Sequence, residues 1–157
     1  MPLLTQTLTL MVDNEFGVLT RVTAMVRREG WNIKSLSVAE TANPAVSRLT
    51  LCVECVPGTL EHVTARLGRL ASVRSLSLYT PATHTGRELL LARINADGDA
   101  LAALAASHGA RLLGGGVLQA CGTPEELDAL LAGLRALGPV EAARSGIVTL
   151  ENKENDR

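Results

Sequence analysis

Aromatic residues are nearly absent: Phe16, Trp31 and Tyr79 are the whole complement, 2% of 157 residues. A core therefore has to be assembled from Leu, Val, Ile and Ala, and surfaces that stack bases or sugars are almost excluded. An excess of charge of one sign is lacking too. With 15 basic and 16 acidic residues the formal net charge is −1, which offers no general attraction to a phosphate backbone or an anionic bilayer, so no nucleic acid and no membrane is expected as a partner. No apolar run approaches the roughly 20 residues that span a bilayer, and the basic-then-apolar start of a secretory signal is missing. A cytoplasmic location is expected. Three cysteines, Cys52, Cys55 and Cys121, are an odd number in a chain long enough to bury a core without staples, so free thiols in a reducing compartment are expected.

Chemistry-bearing motifs are equally scarce. There is no GxSxG elbow, no phosphate-cradling Walker loop and no GxGxxG, so no catalytic residue is assigned. His62, His84 and His108 fall on different elements without ligand spacing, and no metal site is expected. Cys52 and Cys55 form a CxxC, but on a strand residues i and i+3 face opposite ways, which leaves them structural. Gly114-Gly115-Gly116 lies between two short apolar segments rather than ahead of a helix, and reads as a hairpin turn.

The hydrophobic pattern carries most of the information. Leu8, Leu10 and Val12 alternate with Thr7, Thr9 and Met11, as in a half-buried strand. Val18, Leu19, Val22, Met25 and Val26 share one helical face, which Gly30 terminates. Strands follow from Trp31 to Glu40 and from Ser47 to Val56, then a helix through Leu60, Val63, Leu67 and Leu70, then a strand from Val73 to Tyr79. The order βαββαβ builds an antiparallel sheet with both helices on one face. The pattern then repeats. A strand from Glu88 to Ala96, a helix through Leu101, Leu104 and Ala105, short strands at 111–113 and 117–120, a helix opened by Thr123-Pro124-Glu125-Glu126, and a strand from Val140 to Leu150 interrupted near Ser145-Gly146 complete it. The reading is α+β, with two tandem ferredoxin-like βαββαβ modules at residues 4–80 and 87–151, a linker at 81–86 and a disordered tail at 152–157.

The one informative loop is Asp13-Asn14-Glu15-Phe16-Gly17, which leads from a strand into a helix. Such a turn exposes unpaired backbone N–H groups at the positive end of the helix dipole, where a carboxylate can bind. A tight turn made by Asn14 and Gly17 fits the spacing equally well.

These residues also carry a family resemblance. The stretch VDNEFGVLTRV, the step Gly30-Trp31-Asn32-Ile33 followed by Ser35-Leu36 and Val38-Ala39, and Thr41-Ala42-Asn43-Pro44 followed by Ser47-Arg48-Leu49-Thr50 resemble the ACT domain of acetolactate synthase small subunits. Arg87-Glu88-Leu89 and Ala143-Arg144-Ser145-Gly146 extend the likeness through a C-terminal ACT-like module. The resemblance implies a non-catalytic regulatory subunit that binds and activates the catalytic large subunit and confers feedback inhibition by valine or another branched-chain amino acid. It implies no cofactor in this chain; thiamine diphosphate, Mg and often FAD would belong to the partner. It also implies a homodimer through the ACT domain, with effector-binding residues Asn14, Gly17, Val18 and Leu19 from one protomer and Asn32 and Ile33 from the other. In a sheet ordered 4-1-3-2 the second strand is an edge, free to pair across a two-fold axis. Two positions depart from the family pattern: Phe16 stands where a smaller residue or proline is expected, and the second module is short around Gly114–Cys121. A free-standing amino-acid sensor acting on a different partner is the alternative that shares the same effector loop.

Overall fold

The computed structural model describes residues 3–96 and 98–152. The described residues divide into two units, one of residues 3–85 with 149–152 and one within residues 86–148. Among the described residues no helix is long and apolar enough to cross a membrane.

In the first unit, β1 (Leu4–Asp13) leads to α1 (Val18–Arg28), β2 (Asn32–Glu40), β3 (Val46–Cys55), α2 (Leu60–Gly68) and β4 (Val73–Leu78). The sheet order is β2-β3-β1-β4 with every pairing antiparallel. The period-two pattern explains why one face is buried. Leu8, Leu10 and Val12 on β1 and Leu49, Leu51 and Val53 on β3 gather with Val18, Val22 and Val26 of α1 and Val63 and Leu67 of α2 into one core. Each such Val or Leu contributes about 1.5–3 kcal/mol on burial. Trp31 is the only aromatic in that core, and its indole N–H finds the Thr59 hydroxyl at 3.0 Å.

Glycine sets both ends of α1. Gly17, at φ 79°, is the residue before its first turn, and Gly30, at φ 75°, follows its last; Arg27 and Arg28 lie where the C-terminal end of the dipole favours cations.

The second unit holds most of β5 (His84–Ile94), then α3 (Asp99–Ser107), β6 (Arg111–Gly114), β7 (Val117–Gly122), α4 (Pro124–Leu137) and β8 (Val140–Arg144), in the order β6-β7-β5-β8. Strand β9 (Val148–Glu151) pairs with β5. The core contains no aromatic at all: Leu90, Ile94, Leu118, Leu127, Leu130 and Leu134 form its centre. The predicted helix start at Thr123 is a complete capping box, with the Thr123 hydroxyl accepting from Glu126 N and Glu126 Oε2 accepting from Thr123 N. Such a cap contributes about 1 kcal/mol. Gly115 and Gly116 make the β6–β7 turn with φ of 60° and 72°, as a two-residue hairpin of the primed type requires.

Four features differ from the sequence reading. The linker at 81–86 is partly strand, because β5 begins at His84. The expected interruption near Ser145-Gly146 separates two strands, β8 and β9, but residues 149–151 belong with the first unit rather than with module 87–151. The cause is hydrogen bonding that no local pattern reveals: the Thr149 hydroxyl lies 2.5 Å from that of Thr9, and Arg48 Nη1 donates to the Thr149 carbonyl at 3.3 Å. Thr9, assigned by alternation to the solvent side, is buried for the same reason. Asn152, placed by sequence in the disordered tail, donates from its backbone to Thr83 O at 2.8 Å; residues 153–157 lie outside the described residues.

A Cβ added at Gly116 would sit 2.6 Å from the carbonyl oxygen of Ile94, backbone that cannot swing aside, and at a φ that L side chains rarely adopt. Gly116→Ala is therefore expected to lower stability by more than about 1 kcal/mol, read as a reduced urea midpoint. Gly109→Ala, with a similar φ but no neighbour within 4 Å, should cost less.

Candidate functional site

The loop after β1 is held from both sides. Asp13 N donates to Ser72 O at 2.9 Å, and the Asp13 carboxylate takes Arg74 Nε at 2.6 Å. Asn14 N donates to Ala45 O at 2.9 Å. The Asn14 side chain makes three more bonds: Nδ2 donates to Glu40 Oε1 and to Pro44 O, both at 2.9 Å, and Oδ1 accepts from the Ser47 hydroxyl at 3.0 Å. Asn14 thus clamps the loop to the turn joining β2 and β3, leaving at most one of its four hydrogen-bonding positions free.

The helix start beyond this clamp is open. Gly17 offers no side-chain cap, and α1 has no acidic residue in its first turn. Val18 N reaches Glu15 O only at 3.4 Å, and the first helical bond is Arg21 N to Gly17 O at 3.0 Å. Among the described residues no oxygen accepts from Leu19 N or Thr20 N. Those are the orphan donors that a carboxylate can satisfy at the positive end of a helix. Arg21 adds a full charge there, its Nη1 being 3.7 Å from the position of a Cβ on Gly17. Phe16 is fully exposed beside this opening.

The six sequence-assigned residues divide into two groups. Asn14, Gly17, Val18 and Leu19 are contiguous. Leu19 is exposed, whereas the Val18 side chain is buried in the core and leaves only its backbone to the surface. Asn32 and Ile33 are elsewhere. Asn32 pairs with Glu54 at one end of β3, while Asn14 holds Ser47 at the other, roughly 23 Å away at about 3.3 Å per strand residue. Ile33 packs against the core, and Asn32 Nδ2 donates to Glu54 Oε2 at 3.3 Å. Lys34 Nζ lies 3.2 Å from the other oxygen of Glu54. The Asn32 hydrogen bond and then the Lys34 ammonium hold the Glu54 carboxyl below its usual pKa. One protomer does not bring the two groups together.

Sequence reasoning missed Glu40, Pro44 and Ser47 as the partners of Asn14, since only the folded sheet makes them neighbours. Arg21 was findable: it lies one helical turn after Gly17, on the same side of α1. A groove of about 400 Å³ between α2 and β4, lined by Glu61, Thr64, Gly68, Val73 and Leu76 among others, contains none of these residues.

Two ferredoxin-type modules, the first with an uncapped glycine turn at the head of its first helix, define the class of ACT-like proteins. A family profile described as the small-subunit-like ACT domain of acetohydroxyacid synthase (AHAS) matches residues 8–75, and one described as the small subunit of acetolactate synthase matches residues 87–153. The acetolactate synthase isozyme 3 small subunit of Salmonella typhimurium is 33% identical over 153 residues, covering 91% of this chain and 93% of that protein. The acetolactate synthase small subunit of Mycolicibacterium smegmatis is 34% identical, covering 93% and 90%. The crystal structure of the Thermotoga maritima acetolactate synthase small subunit matches with a TM-score of 0.81 at 24% identity, over 96% of this chain and 99% of that one, and so shares the fold. The chain belongs to the acetolactate synthase small-subunit family.

Because the folded-state pKa of Glu54 is depressed, its contribution to stability is present above the ordinary carboxylate pKa and is lost as pH falls through the depressed value. Carboxyl-detected NMR should place the Glu54 midpoint below that of an unpaired glutamate. Asn32→Ala should move it upward, and an unchanged midpoint would remove that hydrogen bond as the main cause. Asn14→Ala should speed amide exchange in residues 41–47 by about tenfold, with little change in β4, since it releases three side-chain bonds on one side of the loop only.

Proposed function

We propose that this chain is the regulatory subunit of an acetolactate synthase: it binds and activates the catalytic subunit and confers feedback inhibition by valine or a related branched-chain amino acid. The observation that carries this reading is the relationship to acetolactate synthase small subunits along both modules. The catalytic subunit carries the thiamine-diphosphate chemistry, and this chain supplies the control.

The effector α-carboxylate sits on Leu19 N and Thr20 N, with Arg21 adding charge, and its ammonium faces the carboxylates held around Asn14. The second half of the site comes from another protomer. Strand β2 is one of the two edges of the first sheet, nine residues long against six for β4 at the other. Antiparallel pairing of two such edges, centred on Leu36, sets the partner subunit's Asn32 opposite Glu40. Glu40 is the residue that the Asn14 amide holds at 2.9 Å. The dimer therefore returns the two separated groups to one place, with Leu19 and the partner subunit's Ile33 available to the branched side chain. An apolar pocket of this kind discriminates one methylene by only about 1–3 kcal/mol, so valine, leucine and isoleucine should bind in a graded series. Control follows only if the effector binds two arrangements of the protomers with different affinity.

Calorimetric titration should give a valine Kd between about 1 μM and 1 mM. Gly17→Asp puts a carboxylate where the effector carboxylate would sit, at a backbone φ that Asp tolerates better than most residues. It should abolish binding and leave circular dichroism unchanged; wild-type affinity in that variant would remove the loop from the site. With the catalytic subunit, addition of this chain should raise activity and make it valine-sensitive. Failure to co-purify any such subunit would favour a sensor with a different target.

A further inference from the structure

The face of the first sheet turned away from its helices is crossed by a two-stranded ribbon, made of the start of β5 and of β9. Asn152 N donates to Thr83 O at 2.8 Å, and the Thr85 hydroxyl donates to Asn152 Oδ1 at 2.7 Å. On one side His84, buried, has Nε2 3.2 Å from the Ser77 hydroxyl and Nδ1 2.8 Å from that of Thr83. On the other, Thr149 is 1% exposed. Its hydroxyl lies 2.5 Å from that of Thr9 on β1 and 3.4 Å from that of Thr50 on β3, and Arg48 holds its carbonyl. Thr9 and Thr50 are directly paired across the two central strands.

Two features make this more than a packing contact. Asn14 and Ser47, joined by a side-chain hydrogen bond, sit at the loop end of the same strand pair, so a change in the spacing of β1 and β3 there is met by the Thr149 hydroxyl, which bridges both strands. The ribbon is also clamped where it continues into the second unit. Gly146 N donates to Glu88 Oε1 at 3.1 Å, and Ser145 N to Leu89 O at 3.0 Å. Arg144 donates to Glu88 Oε2 and to Asp128 Oδ1, both at 2.5 Å, and so ties the corner to the first turns of α4. Glu88 is itself buried.

The geometry points to the ribbon of residues 83–86 and 149–152 as the element that passes the state of the effector loop to the second unit, with the Thr9–Thr149–Thr50 hydroxyl cluster as its latch. This rests on the effector reading above. A latch made only of hydroxyls can exchange partners without stranding a charge, whereas the carboxylate–guanidinium clamp at Glu88 and Arg144 holds the far end fixed. Movement at the latch is thereby delivered to β5 and β8 rather than dissipated in the corner.

Hydrogen–deuterium exchange of the full chain with and without millimolar valine, leucine or isoleucine tests this. In the wild type the effector should slow exchange in residues 13–20 and, by about threefold or more, in residues 84–94 and 140–151. Thr149→Val should keep the first response and reduce the second to near nothing, and Thr149→Ser, which retains the hydroxyl, should restore it. Thr149→Val leaves the Thr9 and Thr50 hydroxyls short of a partner, so the double variant Thr9→Val with Thr149→Val supplies the reading if the single variant folds poorly. Persistence of the second response in these variants, or its absence in a wild type whose loop responds, overturns the latch while sparing the effector site. No response at residues 13–20 to any of the three amino acids overturns the effector reading and the latch with it.

Discussion

The pairing of β1 with β3 is the constraint on which the first unit depends. Ten residues of each strand run in continuous register from Leu4 opposite Cys55 to Asp13 opposite Val46. Because alternate residues face opposite ways, this single register assigns every side chain of both strands at once. Leu8, Leu10, Leu49 and Leu51 go to the helices, while Thr9, Thr50 and Arg48 go to the other face. A slip of one residue in either strand would turn that strand's hydroxyls under the helices and its two leucines to the other face. The same register brings the loop after β1 beside the start of β3, where Asn14 and Ser47 meet.

The two faces of that sheet are closed by different physics. The helical face is sealed by apolar contact among Leu and Val, which is tolerant of exact geometry and needs no partners. The other face is covered by a narrow ribbon through hydrogen bonds among threonines, which are directional and need a partner hydroxyl within reach. An aromatic-poor chain has little choice here. Without large side chains to fill space between a sheet and a distant layer, close approach of backbone with small hydroxyls is the available way to cover a central pair of strands.

The start of α1 is the opposite of the start of α4; α2 and α3 also lack a side-chain cap, but each carries an acidic residue in its first turn, Glu61 and Asp99. α4 begins with a complete capping box, with proline and two glutamates in the first turn. α1 begins with glycine in a left-handed conformation, no cap and no acidic residue, and carries Arg21 over the turn. The first arrangement satisfies the N-terminal donors within the chain. The second leaves them available with the Arg21 guanidinium beside Gly17, an arrangement that stabilises an anion from outside.

Much of this was legible in the sequence, because strand alternation, helical periodicity, glycine stops and the capping box are consequences of neighbours within a few residues. Both βαββαβ orders, the Leu and Val cores, the hairpin at Gly115-Gly116 and the loop from Asp13 to Gly17 all come from such local rules. The partners of Asn14, the burial of Thr9 and the return of Thr149 to the first unit do not. Each depends on residues brought together from distant points in the chain, Thr9 and Thr149 being 140 positions apart. A threonine on the open face of a strand reads the same whether water or another hydroxyl meets it. Local chemistry determined which elements form and which loop is left with unsatisfied donors; only the tertiary structure decided what those elements touch, since a hydrogen bond is selected by distance in space and leaves no periodicity in the chain.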